Sequence, residues 1–470
     1  MTMVDALRRG RLLISLLLLL EAALVGLYLK EHGATERRPN AVSFDWSVVW
    51  GGSGREYPRG ITFYENHLYV TGSTSSFGAG KEDIFLLKYG MDGRLIWNRI
   101  WGGMGYDMGR GVTRGDDGVY VAGITYPNGS SKAVLLKYDS EGRLLWARRW
   151  GIKGSAIGRC VAVDDRGFVY VAGYVRGMKA NGTKAFLLKY GSEGVLIWNR
   201  TWGETGADYC WAVAVDDAIY VSGTTGSRKG VQTVGVAAPR RRSEMFLAKF
   251  DFDGDVIWTR SWGTGAENYG LALSASNGLI YQVGFTQKEA DADVVLLGYD
   301  SSGNLRFSSL WGGRREDYAW GVARGGGFIY VVGHTFRTEP GSWADALIMK
   351  YTPDGGLLWN VTWGGFGSDL ARSVIVEGDA VYVAGITYGV GNDGQAFLLR
   401  YTSPNASPNP LMTVIPPAAI AVGLIIWMIL ILEAVSKLGN LGPGLSEKVK
   451  AFNAWGIFHR GARCPVSRGI

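Results

Sequence analysis

Seven times along the chain, a short run of small and β-branched residues opens on a side chain that does not repeat. In order these residues are Arg59, Arg110, Arg159, Trp211, Leu271, Trp320 and Arg372. Guanidinium groups hold carboxylates, phosphates and sulfates through paired N–H donors, and indoles offer flat apolar faces. Brought to one place, these four arginines and two tryptophans would make a half-basic, half-aromatic mouth for an anionic or sugar-like ligand. A second concentration of cations is Arg240, Arg241 and Arg242 within "TTGSRKGVQTVGVAAPRRRSE", residues 224–244. Bond-making chemistry has no comparable candidates. There is no HExxH, GxSxG or P-loop motif, His32, His67, His334 and His459 share no local spacing, and no CxxC-type ligand pair occurs. No catalytic residue, metal or cofactor is expected.

Residues so far apart meet only if the chain repeats. "LLKYDSEGRLLWARRWG" at 135–151 returns as "LLKYGSEGVLIWNRTWG" at 187–203 and "LAKFDFDGDVIWTRSWG" at 247–263. The Trp of "WG" falls at Trp50, Trp101, Trp150, Trp202, Trp262, Trp311 and Trp363, spaced by 51, 49, 52, 60, 49 and 52 residues. Each unit reads as four short strands: A as in "RCVAV", B as in "VYVAG", C as in "AFLLKY" and D as in "LLWARRW". Asp and Gly between C and D make a tight turn. Four antiparallel strands at a period near 50 mark a β-propeller blade. The first copy, "DWSVVWGG", holds only strand D, and the last stops after strand C. Pairing the orphan D with the last blade closes the ring and removes its exposed edges.

The expected fold is therefore all-β, a seven-bladed β-propeller of four-stranded antiparallel blades over residues 44–401. Its blades fall at about 51–101, 102–150, 151–202, 203–262, 263–311, 312–363 and 364–401, the last completed by strand 44–50. Strand A lines the axis of such a ring, which places the seven variable residues around one mouth. A second reading stays open. On strict alternation Arg159 shares a face with Val161 and Val163, which would turn it between blades toward an acidic turn residue. Such acids recur about six residues after the Trp, as Glu56, Asp107, Asp208, Asp317 and Asp369, and recurrence points to a turn or ion-pair role. Lys88, Lys137, Lys189, Lys249 and Lys350 recur in strand C, where their stems are expected to pack on aromatics. The 224–244 loop reads either as grafted function or as a plain insertion.

The composite "WGG…G…D", "VYVAGxT" and "AFLLKYDxxGxLLW" resembles the SBBP-type β-propeller repeat of bacterial and archaeal surface proteins over residues 44–401. More weakly it resembles quinoprotein-type blades, with their docking Trp after a D-x-x-G turn. Gly298 and Phe307 depart from the pattern. The resemblance implies an exported, surface-associated propeller of a kind mostly without an assigned activity.

The flanks carry the charge. Of the net +7, residues 1–11 hold +2 and residues 437–470 hold +5, so the middle is neutral and lacks the field that nucleic-acid binding uses. Beside these flanks lie two apolar runs, at 12–29 and 412–435, each long enough to cross a hydrocarbon core of roughly 30 Å. The positive-inside rule then gives a two-pass cell-membrane protein. Residues 1–11 and 436–470 are cytoplasmic, 30–43 and 402–411 are linkers, and the propeller is outside. A cleaved signal peptide is the alternative for the first run. Sequons at Asn128, Asn181, Asn199, Asn360 and Asn405 are candidate N-glycosylation sites. Glu21, an acid within the first run, points to a partner helix in the membrane. Cys160 and Cys210 leave a disulfide open. The function expected is binding or scaffolding of protein or glycan partners at the cell surface. The rivals are a propeller enzyme, quinoprotein-like or glycan-processing, and a surface sensor signalling through its tail.

Overall fold

Strand B of each repeat is apolar on both faces. In Gly118–Thr125, "GVYVAGIT", every residue is buried, and such a strand needs a cover on each side. In the computed structural model the neighbouring blades supply it. The structure describes residues 42–403 except 128, 153, 178–181, 204–206, 227–231, 236–242, 289–290, 337–342 and 390–392. The two apolar runs, the flanks 1–11 and 436–470 expected in the cytoplasm, Glu21, Asn128, Asn181, Asn405 and Arg240 to Arg242 lie outside the described residues. Every regular element among the described residues is a β-strand. They form seven sheets, each with four antiparallel strands, and each strand A touches those of the blades before and after it. Blades 1 to 6 begin at Glu56, Met108, Ser155, Tyr209, Glu267 and Asp317. Blade 7 takes A, B and C from Asp369–Thr402 and D from Ser43–Trp50.

The closing strand pairs from Ser43↔Thr402 to Trp50↔Ala396, with one bulge at Asp45. Asp45 locks it, accepting from Thr402 Oγ1 at 2.7 Å and pairing with Arg400 at 3.2 Å. Blade 4 has a fifth strand that the repeat does not announce: Gln232–Gly235 lies parallel to strand D along Arg260–Gly263.

Each apolar cluster belongs to a seam between two blades. Tyr120, Ala122 and Leu135 of blade 2 pack with Val161, Val171 and Phe186 of blade 3. A large side chain so buried stabilises by roughly 1.5–3 kcal/mol. Polar staples cross the same seams. Arg99, Arg148, Arg200 and Arg260 of strand D each donate through Nε to the next blade's C–D turn glycine carbonyl, at 2.9–3.0 Å. Their guanidiniums lie 4.8–5.3 Å from the rings of Trp97, Trp146, Trp198 and Trp258. Lys88, Lys137, Lys189 and Lys249 likewise reach carbonyls of the following turn at 2.8–3.1 Å, over tyrosines of their own blade. Gly298 and Phe307 are one compensated exchange. They stand opposite in register, and a Cβ on Gly298 would come within 2.2 Å of the Phe307 ring.

Candidate functional site

In all seven blades the A–B ladder skips one residue. The skipped residues are Arg59, Arg110, Arg159, Trp211, Leu271, Trp320 and Arg372. Each is the extra residue of a β-bulge, and a bulge re-aims its side chain away from the alternation of its strand. All seven line a cavity of about 210 Å³ on the axis. Strict alternation therefore misleads here. Arg159 does not follow Val161 and Val163 into the seam, because the bulge between Gly158 and Cys160 resets the pleat.

Small residues make the bulges fit. Opposite each one, strand B carries a glycine, that of "YVxG" in six blades and of "YQVG" in blade 5. A Cβ on Gly72 would come within 2.0 Å of the Tyr57 carbonyl oxygen, and one on Gly123 within 2.1 Å of the Met108 oxygen. Around the axis the bulged residues are flanked by Gly, Ala, Ser, Cys or Pro, since the seven A strands converge there. A Cβ on Gly111 would already meet Cys160 Cα at 3.1 Å.

The mouth has two unlike sides. Arginines come from the contiguous blades 7, 1, 2 and 3, and Trp211, Leu271 and Trp320 from blades 4, 5 and 6. At the two borders the sides interlock: the Arg159 guanidinium lies 4.1 Å from the Trp211 ring, and that of Arg372 lies 4.2 Å from Trp320. The indoles are held in turn. Trp211 Nε1 donates to Thr224 Oγ1 at 3.2 Å, and Trp320 Nε1 donates to His334 Nδ1 at 3.1 Å. Tyr209 stacks on Trp211, and Tyr318 and His334 stack on Trp320. The indoles of Trp211 and Trp320 thus lie between a guanidinium and neighbouring aromatic rings.

The basic side is rich in donors and short of acceptors. Arg159 Nη2 meets the Tyr174 hydroxyl at 3.2 Å, and Arg110 Nη2 meets the Met108 sulfur at 3.3 Å. Arg110 Nε, Arg159 Nε, and both Nε and Nη1 of Arg372 are buried with no hydrogen-bond partner among the described residues. Among the described residues no carboxylate lines the cavity. Burial first, then Arg372 and Arg159, push Arg59 down to about 9. Burial, then Arg59 and Arg159, do the same to Arg110. Arg372 falls to about 10, chiefly through burial. All remain charged at neutral pH, so four like charges face one another in a confined space. Tyr57 and Tyr388, joined hydroxyl to hydroxyl at 3.0 Å, stand beside Arg59 and Arg372. These tyrosines, Tyr174 and His334 are site residues that the repeat alone does not expose. Tyr57 had one signal, since it lies two residues before a bulged arginine.

The recurring acids are turn caps. Asp107, Asp317 and Asp369 each accept the backbone N–H of the residue four before, at 2.8, 3.1 and 3.0 Å. Glu56 accepts from Gly52 N and Thr74 Oγ1, and Asp208 from Thr225 Oγ1. Asn199 and Asn360 are exposed on outer strands. Cys160 and Cys210 are free thiols, so the disulfide left open by the sequence does not form. No group of three or more metal-ligating side chains occurs among the described residues.

No family model matches the chain, and no curated relative is found. Similar solved structures include the phage phi92 endosialidase, at 9% identity over 79% of this chain and 70% of that one, with a TM-score of 0.43. The N11 neuraminidase-like protein of A/flat-faced bat/Peru/033/2010 (H18N11) is 9% identical over 78% and 96%, with a TM-score of 0.40. Sqt1 from Chaetomium thermophilum is 11% identical over 77% and 100%, with a TM-score of 0.43. At these values no activity or ligand carries over to this chain.

Proposed function

We propose that the chain is a non-catalytic recognition module, a propeller displayed on the outside of a cell membrane. Its axial mouth takes an anionic group of a protein or glycan partner. The observation that carries this reading is the set of buried arginine donors without acceptors at the axis. Leaving a buried donor unsatisfied costs about 1–3 kcal/mol, and a bulge in every blade maintains the arrangement. An incoming anion would supply the acceptors and offset the repulsion. Ser43 and Thr402 are paired neighbours at the C–D end of the ring, opposite the end where Tyr57 and Tyr388 stand. Membrane anchors joined to the described ends would thus leave the mouth accessible. The SBBP-like repeat pattern agrees with a surface protein. An enzymatic reading finds little support, since the described residues of the lining include neither carboxylate nor histidine for proton transfer.

The test is tryptophan fluorescence of the full-length protein titrated with citrate, since Trp211 and Trp320 stack on the arginines. A saturable change is expected, and it should vanish in Arg59→Gln/Arg110→Gln. An unchanged response in that double variant would place anion binding elsewhere.

A further inference from the structure

We infer that the group received at the axis is a doubly charged tetrahedral oxyanion, such as a phosphate monoester, and not a lone carboxylate. This rests on the axial mouth being the binding site. Three observations carry it. The first is charge: among the described residues four guanidiniums line the cavity and no carboxylate does, so one monoanion leaves most of the repulsion in place. The second is direction. The unpartnered donors belong to Arg110, Arg159 and Arg372, which stand on blades 2, 3 and 7, with Arg59 of blade 1 between them. They approach the axis from about half of the ring. A carboxylate offers two oxygens in one plane and is filled by one or two arginine forks. Oxygens disposed around a centre are needed to meet forks arriving from four blades. The third is size and surface. The cavity holds about 210 Å³, and the indole faces are already covered by Arg159 and Arg372. The site therefore takes a compact charged head, and the rest of the ligand lies outside it.

The groups lining this site are the four guanidiniums, with the phenols of Tyr57, Tyr174 and Tyr388 and the Arg176 guanidinium next to them and His334 behind Trp320. Glu82 stands near Arg110. A phosphate monoester loses its second charge near pH 6, whereas sulfate stays doubly charged. This separates the ligand's titration from any in the protein.

The experiment is calorimetric titration of the full-length protein with glycerol 3-phosphate, sulfate and acetate at pH 7.5 and pH 5. At pH 7.5 glycerol 3-phosphate and sulfate should bind about tenfold or more tighter than acetate. At pH 5 glycerol 3-phosphate should weaken by several-fold while sulfate holds. Arg110→Gln should weaken both dianions, Arg110→Lys should recover only part of the loss, and Arg148→Gln on the seam should change neither. Acetate binding as tightly as sulfate, with Arg110→Gln still weakening it, would overturn the dianion while leaving the mouth as an anion site. Binding of no anion, or binding indifferent to Arg110, would overturn both. Cosedimentation with phosphatidic acid vesicles, and not with phosphatidylcholine, would assign the phosphate to a lipid head. Binding of glycerol 3-phosphate without cosedimentation would assign it to a soluble or glycan-borne ester.

Discussion

Arg148 and Arg110 lie in the same blade and have opposite surroundings. Arg148, on the outer strand, gives Nε to Gly194 O at 2.9 Å and Nη2 to Glu193 O at 3.0 Å, and its guanidinium stacks on Trp146. Arg110, on the inner strand, keeps a buried Nε without an acceptor and faces Arg59 and Arg159. The seam arginine is satisfied by the fold, and the axial arginine is placed by the fold but not satisfied by it. One residue type thus serves cohesion at the rim and, on the proposed function, recognition at the centre. The pairing of donors with acceptors tells them apart better than burial does.

The largest break in this contrast is at a seam that no arginine staples. Ser309, Val361 and Val48 of blades 5, 6 and 7 stand where the other four D strands carry arginine, and closure between blades 7 and 1 rests on strand Ser43–Trp50 instead. Deleting residues 43–50 removes Trp46, Val48 and Trp50 from the blade 7–blade 1 core. It also frees the edge of strand Gln395–Thr402. A loss of several kcal/mol and of a single cooperative melt is expected, read by calorimetry. Melting like the parent would mean that this strand does not close the ring. Next comes Arg200→Ala at a seam, which removes bonds to Gly254 O and Asp253 O. A loss of about 1–3 kcal/mol is expected in denaturant melts, with anion binding intact.

Acid sharpens the contrast from the aromatic side. Burial, then Arg372, hold folded His334 at about 3 against 6.5 for a free histidine. The unfolded chain takes up this proton first, so the contribution is complete above 6.5 and is lost as pH falls from 6.5 toward 3. Protonation would also turn Nδ1 from acceptor to donor against the Trp320 N–H. Melts between pH 7 and pH 4 are expected to show a loss of about 1–3 kcal/mol that His334→Phe reduces. An identical acid profile in that variant would remove His334 from the account.

The ring was legible because its signals are local and recur: the "WG" Trp, the Asp–Gly turns and the split last blade. The identity of the mouth residues was legible too, as the one strand-A position where the repeat breaks from Arg to Trp to Leu. Their direction was not. Alternation sends Arg159 into the seam, and only the bulge between Gly158 and Cys160 turns it inward. A signal for that bulge lay in the strand-B glycine of "YVxG", since a glycine inside a buried strand marks close backbone approach. Tyr388, His334 and the strand at Gln232–Gly235 were hidden for another reason. They enter through contacts between blades or within one irregular loop, which no repeat encodes.

The smallest effect is the most direct test. Arg59 stands between Arg372 and Arg110 in the ring and is pushed down by burial and its arginine neighbours. Removing its charge should relieve repulsion that the unliganded fold carries. The measurement is the Tm of full-length Arg59→Gln against the parent, without added anion and at low salt. A rise of roughly 1–3 °C is expected, together with loss of the stabilisation that sulfate gives the parent. A fall in Tm comparable to that of Arg200→Ala, with sulfate still stabilising the variant, would show that the axial arginines are staples like those at the seams.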